Sequence, residues 1–149
     1  MDNDNAIATL NKLITTTKDG EQGFRAAADA VKDPQTKALF HEYSRQRAQM
    51  ARELQDEVRT LGGDPENAGS VSGSAHRGWM NIKSAVTGGN DATIIAEAER
   101  GEDVAKQAYE DALKQGLPPT TLSLVRQHSA RVREAHDKVR ALEQAGTRR

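Results

Sequence analysis

Apolar residues recur at helical spacing along four long stretches of the chain, and this periodicity constrains the fold more than any other feature. In the first stretch it places one stripe of side chains on a single helical face. The stripe comprises Ile7, Leu10, Ile14, Thr17, Glu21, Phe24, Ala28 and Val31. Three further stretches repeat the amphipathic pattern, separated by segments that contain proline or glycine. The pattern predicts an all-α domain whose helices each bury one face.

Turn residues set the predicted helix boundaries. Proline suits the first turn of a helix and glycine follows a helix end, so Pro34, "GGDP" at 62–65 and Gly116 divide the chain. The length suits one domain, residues 1–149. Within it, the predicted helices span residues 4–32, 34–61, 74–86, 91–115 and 119–145.

The connection between the second and third long helices decides the topology. It covers residues 62–89, about 28 residues, which is far more than antiparallel neighbours need. A connection of that length can travel along the bundle, so the two helices it joins would run parallel. The sequence therefore predicts a four-helix bundle with one long crossover that contains a short extra helix.

Composition and charge argue against several classes of function. The 21 basic and 22 acidic residues are interleaved and give a net charge of −1, which disfavours nucleic acid as the main partner. No apolar run approaches the ~18 residues of a membrane span, and the acidic start is unlike a secretory signal. The absence of cysteine excludes disulfides and thiolate chemistry. The cytoplasm is the predicted location.

Two glutamates occupy core-facing positions in the predicted helices. Glu21 lies in the stripe of the first helix, and Glu102 lies between Ala98 and Ala105 on the third long helix. Each directly follows a glycine, which costs about 1 kcal/mol relative to alanine inside a helix, so both pairs need a reason. A buried carboxylate also needs a cation, a proton or a metal ion.

Three more polar side chains are expected near the height of these glutamates along the bundle axis. At ~1.5 Å per residue, the set falls within about 6 Å on the single-crossover topology. Carboxylate oxygens and one imidazole would suit iron or manganese. One hypothesis is therefore a metal site whose ligands are Glu21, Glu42, Glu99, Glu102 and His136.

Buried ion pairs are the alternative explanation for the two glutamates. Arg45 and Arg47 lie on the second helix near the same height, and either of them or a lysine could neutralise Glu21 and Glu102. The protein would then be a metal-free structural or protein-interaction module, with a homodimer favoured among homo-oligomers. The chain has no Gly-rich phosphate loop, nucleophile elbow or zinc-type histidine pair, so no catalytic residue is predicted.

Several segments resemble the small bacterial ferritin-like four-helix-bundle proteins of unassigned function, a group sometimes linked to stress responses. The resemblance covers nearly the whole chain. It rests on "KDGEQGFRAAADAVKDP", "RAQMARELQDEV", "LGGDP", "HRGWMNIKSAVTGG" and "ERGEDVAKQAYEDAL". The resemblance implies a ferritin-like fold and a role in stress protection. By fold analogy, any enzymatic activity would be that of a metal-dependent oxidase or peroxidase.

Ferritin-like di-metal proteins take one glutamate from each of two helices and a Glu-x-x-His motif from each of the other two. Glu21 and Glu102 match the single glutamates by helix and by face. No glutamate in this chain has a histidine three residues later. The resemblance therefore implies the fold without a complete di-iron site.

Overall fold

Five α-helices make up the part of the chain that the computed structural model describes, residues 3–65, 78–79 and 81–147, in which no strand occurs. The all-α prediction is confirmed, and the long helices end within three residues of their predicted bounds. None of the described helices has the length and apolarity that a membrane crossing requires. The helices are α1 Asp4–Ala30, α2 Pro34–Thr60, α3 Ile82–Gly88, α4 Asp91–Ala112 and α5 Pro119–Thr147.

Hydrogen bonds between chain segments define how the long helices are arranged. At the start of α4, the Asp91 carboxylate accepts hydrogen bonds from the backbone N–H groups of Lys32 and Asp33, at 2.8 and 3.0 Å. At the other end, Asn5 of α1 donates to the carbonyl of Gln115 at 3.0 Å. Helix α1 is therefore antiparallel to α4, and α2 runs parallel to α4. The predicted single-crossover bundle is confirmed.

Hydrogen bonds at the turns explain where the helices begin and end. The Asp33 carboxylate accepts a hydrogen bond from the backbone N–H of Thr36 at 2.9 Å and so caps α2. Lys37 donates to the carbonyl of Ala28 at 2.6 Å, which satisfies the last turn of α1. We call the end of the bundle that contains the turn between α1 and α2 the Asp33 end. The opposite end, the Gly116 end, has a glycine with φ +68° between α4 and α5.

Two apolar clusters fill the core, one towards each end, and a layer of polar side chains lies between them. The cluster at the Asp33 end includes Phe24, Phe40, Tyr43, Trp79, Ile94 and Val139. The cluster at the Gly116 end includes Leu10, Leu13, Ile14, Met50, Leu54 and Val132. Burial of these side chains is the main favourable term in folding.

The crossover helix begins later than predicted. Residues 74–77 and 80 of the predicted helix lie outside the described residues, but Gly78 has φ +79°, a left-handed conformation that an α-helix does not use. Trp79 follows in a non-helical conformation, and the helix starts only at Ile82. The predicted helix from 74 to 86 therefore does not run through Gly78 and Trp79, and the indole of Trp79 lies in the core, where it is 1% exposed.

Candidate functional site in the bundle core

A buried ion pair joins α2 to α4 in the polar layer of the core. Arg47 donates from Nη1 to Glu102 Oε2 at 2.8 Å and from Nη2 to Glu102 Oε1 at 2.5 Å. The side chains are 1% and 0% exposed. Burial alone would lower the pKa of Arg47, but the charge of Glu102 and its hydrogen bond raise that pKa, so the guanidinium stays charged. Arg47 is thus the cation that Glu102 requires.

Gly20 provides the space that Arg47 occupies. A Cβ atom at Gly20 would lie 2.8 Å from Arg47 Nη1. The guanidinium also lies over the ring of Phe24, 5.3 Å from the centroid, a cation–π arrangement. The glycine before Glu21 is therefore explained by the arginine packed on it rather than by the glutamate that follows.

Gly23 and Gly101 provide a slot for Trp79. A Cβ atom at either glycine would lie 2.2 Å from an atom of the indole. The indole also meets the ring of Phe24 edge-on, with 5.0 Å between centroids. The crossover is thereby wedged between α1 and α4, and the glycine before Glu102 serves this contact.

Two buried tyrosines lie near the ion pair and add no charge to the core. The hydroxyls of Tyr109 and Thr17 are 2.8 Å apart and share a hydrogen bond. Burial raises the pKa of Tyr109 to about 12. Burial, followed by the carboxylates of Glu134 and Glu102, raises the pKa of Tyr43 to about 12. Both phenols therefore remain protonated at neutral pH.

Glu21 and Glu42 lie outside this pair. Glu21 has a side chain that is 22% exposed and accepts a hydrogen bond from Arg25 at 3.3 Å. Glu42 is 63% exposed and pairs with Arg45 at 2.8 Å. The sequence places Glu21 in the stripe of α1, whereas in the structure Gly20 faces the core and Glu21 lies at the edge of the buried face. Its partner is Arg25, not Arg45.

Glu99 and His136 lie along the seam between α4 and α5. His136 Nε2 lies 2.6 Å from Asp103 Oδ1. A hydrogen bond with Glu143, followed by burial and nearby negative charge, raises the pKa of Glu99 to about 7. Because the folded protein holds this proton more tightly than the unfolded chain, the contribution of Glu99 to stability is complete below about pH 4.5 and is lost as the pH rises through 7.

The predicted ligands do not form a metal site in this arrangement. Within residues 3–65, 78–79 and 81–147, no group of three or more His, Asp or Glu side chains is placed to hold a metal ion. Both oxygens of Glu102 are engaged by Arg47. The donor set therefore does not fit iron or manganese as it stands. The metal hypothesis remains a prediction from the sequence.

Sequence reasoning missed a second buried carboxylate on α4. Glu97 is 2% exposed, accepts a hydrogen bond from the backbone N–H of Asn81 at 2.8 Å and pairs with Arg100 at 3.0 Å. It thereby anchors the residue that precedes α3. Its position between Ile94 and Ala98 on the apolar face was the available signal.

Comparisons with known proteins agree with the fold described above. A family described as a domain of unknown function (DUF2383) matches residues 5–115. A crystal structure from Anabaena variabilis, of a two-domain protein containing DJ-1/ThiJ/PfpI-like and ferritin-like domains, superposes with a TM-score of 0.75 at 13% identity. The match covers 95% of this chain and 36% of that one, so this chain spans about a third of its length. No curated protein matches the chain. The likeness confirms the ferritin-like fold.

Proposed function

This chain belongs to the DUF2383 family, whose function is unassigned, and we propose that it is a metal-free ferritin-like bundle acting as a structural or protein-interaction module. The observation that carries the proposal is the bidentate pair between Arg47 and Glu102. The guanidinium supplies the positive charge that the metal ions supply to the central carboxylates of ferritin-like di-metal proteins.

Competition between Arg47 and a metal ion supports this assignment. A metal that chelated Glu102 through both carboxylate oxygens would have to displace Arg47 from them. Because the arginine side chain is 1% exposed, withdrawal would leave a guanidinium buried without its counter-ion. Stranding one member of a buried pair costs several kcal/mol, roughly 3–5. Iron or manganese would have to offset that cost in addition to its own dehydration.

Metal content per chain tests the proposal directly. We expect untagged protein, purified without chelator and challenged anaerobically with ferrous iron or Mn²⁺, to retain no stoichiometric ion in elemental analysis. Glu21→Gln, which changes a partly exposed carboxylate and should fold normally, is expected to behave identically. Tight binding of one or two ions per chain that Glu21→Gln abolishes would overturn the proposal in favour of the carboxylate metal site.

The homodimer favoured for such a module is a separate prediction. We expect sedimentation equilibrium to give a mass twice the 16.2 kDa of one chain. The mass of a single chain across the accessible concentration range would contradict the dimer and would turn the search to other protein partners. A role in stress protection and a cytoplasmic location remain predictions from the sequence.

A further inference from the structure

Helices α2 and α5 share the smallest interface among the neighbouring long helices. No turn joins them, and an open groove of about 370 Å³ follows their seam near the Gly116 end. Polar side chains bridge it: Thr121 donates to Glu57 at 2.6 Å, and His128 Nε2 lies 2.7 Å from Glu53 Oε1. Two side-chain hydrogen bonds therefore bridge a seam at which the two helices otherwise have little contact.

His128 is the fully buried member of this bridge. Its side chain is 0% exposed, whereas that of Glu53 is 34% exposed. Because Nε2 faces a carboxylate, Nε2 carries the hydrogen of the neutral ring and Nδ1 carries the lone pair. Among the described residues, Nδ1 is buried and has no hydrogen-bond partner. A proton on Nδ1 would create a buried N–H group without an acceptor, which is costly.

The surroundings of the ring oppose its protonation on balance. Burial lowers the pKa of His128, and Arg131 of α5 and Arg47 of α2 lower it further. The carboxylate of Glu53 acts in the opposite direction but is outweighed. From α4, Tyr109 presents an uncharged ring edge-on, 6.3 Å away between centroids. In return, the hydrogen bond from His128 lowers the pKa of Glu53, so the pair is a neutral imidazole and a carboxylate.

We propose that His128 is an acid-sensitive latch between α2 and α5, which keeps the seam closed while its ring is neutral and releases the seam when Nδ1 takes up a proton. In the open seam, water reaches the imidazolium and both ring nitrogens find hydrogen-bond partners. The latch is a property of the bundle itself and holds whether or not the protein acts as a metal-free module.

Proton linkage sets the direction and the size of the effect. The exposed ring of the open seam titrates near the ordinary value of about 6.5, and the closed ring titrates below it. Closure is therefore fully favoured above about pH 6.5 and weakens as the pH falls. The opening constant rises by up to about tenfold per pH unit until the closed ring titrates too. Glu53, with its lowered pKa, titrates only in stronger acid, and Glu99 stabilises the fold as the pH falls.

Hydrogen exchange of the first half of α5 measures the latch. Protection factors for amides 121–132, corrected for the intrinsic effect of pH, would be compared between about pH 7.5 and about pH 5.5. We expect protection in the wild-type protein to fall by up to about tenfold per pH unit below pH 6.5. In His128→Gln, whose amide nitrogen can still donate to Glu53, protection should no longer fall as the pH is lowered below 6.5. His136→Gln, the matched buried histidine outside this seam, should retain the wild-type fall.

Several outcomes would overturn the latch. They are protection in the wild-type protein that does not change with pH, an equal fall in His128→Gln, and an imidazole titration of His128 by NMR at or above the ordinary pKa. Glu53→Gln provides a second variant if His128→Gln does not fold. It removes the charge that favours the imidazolium but keeps an acceptor for Nε2, so the acid-dependent fall should persist and extend to lower pH. Loss of the fall in Glu53→Gln would assign the effect to Glu53 and reject the latch.

Discussion

Replacing Arg47 with methionine is expected to lower the free energy of unfolding by about 3–5 kcal/mol. The substitution keeps an apolar stem but leaves the fully buried carboxylate of Glu102 without its cation. A carboxylate stranded in a core is protonated more readily, so the loss should be larger near about pH 8 than near about pH 5. Denaturant unfolding followed by circular dichroism at the two pH values measures both effects.

Two further variants control this experiment. Arg45→Ala removes an arginine that is 68% exposed and paired with Glu42, and should change stability by no more than about 0.5 kcal/mol. Combining Arg47→Met with Glu102→Leu should recover most of the lost stability, because no buried charge is then left unpaired. If Arg47→Met unfolds at the same denaturant concentration as the wild type, Arg47 is not the cation that Glu102 needs.

Alanine at Gly101 is expected to destabilise the protein by roughly 3 kcal/mol, although alanine is the better helix former by about 1 kcal/mol. The new Cβ atom would lie 2.2 Å from Cε2 and Nε1 of Trp79, so the indole must leave its slot. Since Trp79 is the single tryptophan of the chain, its fluorescence emission should shift to the red in the folded variant. Emission spectra and denaturant unfolding measure the two effects.

Gly88→Ala is the matched control for Gly101→Ala. A Cβ atom at Gly88 would meet nothing within 4 Å, so its stability and emission should stay close to those of the wild type. The double variant Gly101→Ala/Trp79→Ala should lose much less unfolding free energy than the sum of the losses in the two single variants, because both changes act on one contact. Wild-type emission and stability in Gly101→Ala would contradict the wedged position of the indole.

The sequence predicts the heights of the core polar groups better than their directions. Rise per residue is nearly constant in a helix, so counting from the turns correctly placed Glu102 level with the arginines of α2. The direction in which a side chain points around the helix axis is harder to predict. Successive residues point about 100° apart, and a wide apolar face can include either of two neighbouring residues. By the sequence, either Gly20 or Glu21 could face the core. Gly20 faces it, because the Arg47 side chain packs where a Cβ atom of residue 20 would otherwise lie.

The choice between Arg45 and Arg47 was within reach of the sequence. Arg47 lies four residues after Tyr43 and three before Met50, so it belongs to the buried stripe of α2. Arg45 lies on the opposite side of the helix. An arginine in an apolar stripe indicates that a buried acid faces it from another helix, and Glu102 was the available candidate.

The sequence alone could not show why glycine occupies positions 23 and 101. A glycine inside a helix signals that something approaches closely, but it does not identify the approaching group. At Gly23 and Gly101 that group is Trp79, which reaches the core from the crossover. The path of an irregular connection follows no hydrophobic period, so periodicity could place the helices around the slot but not the indole inside it.

Helices α2 and α4 are not packed neighbours, so the pair between Arg47 and Glu102 runs corner to corner across the bundle. Four helices that pack only against their adjacent neighbours can shift sideways so that the square cross-section becomes a rhombus, and a contact between two diagonally opposite helices, a diagonal strut, opposes this shift. The ion pair acts as that strut: sliding of one helical hairpin past the other would have to stretch or break it. If the seam beside His128 opens, α2 stays fastened to α4 near its midpoint, and the motion is a hinge about that point instead of a separation of the two hairpins.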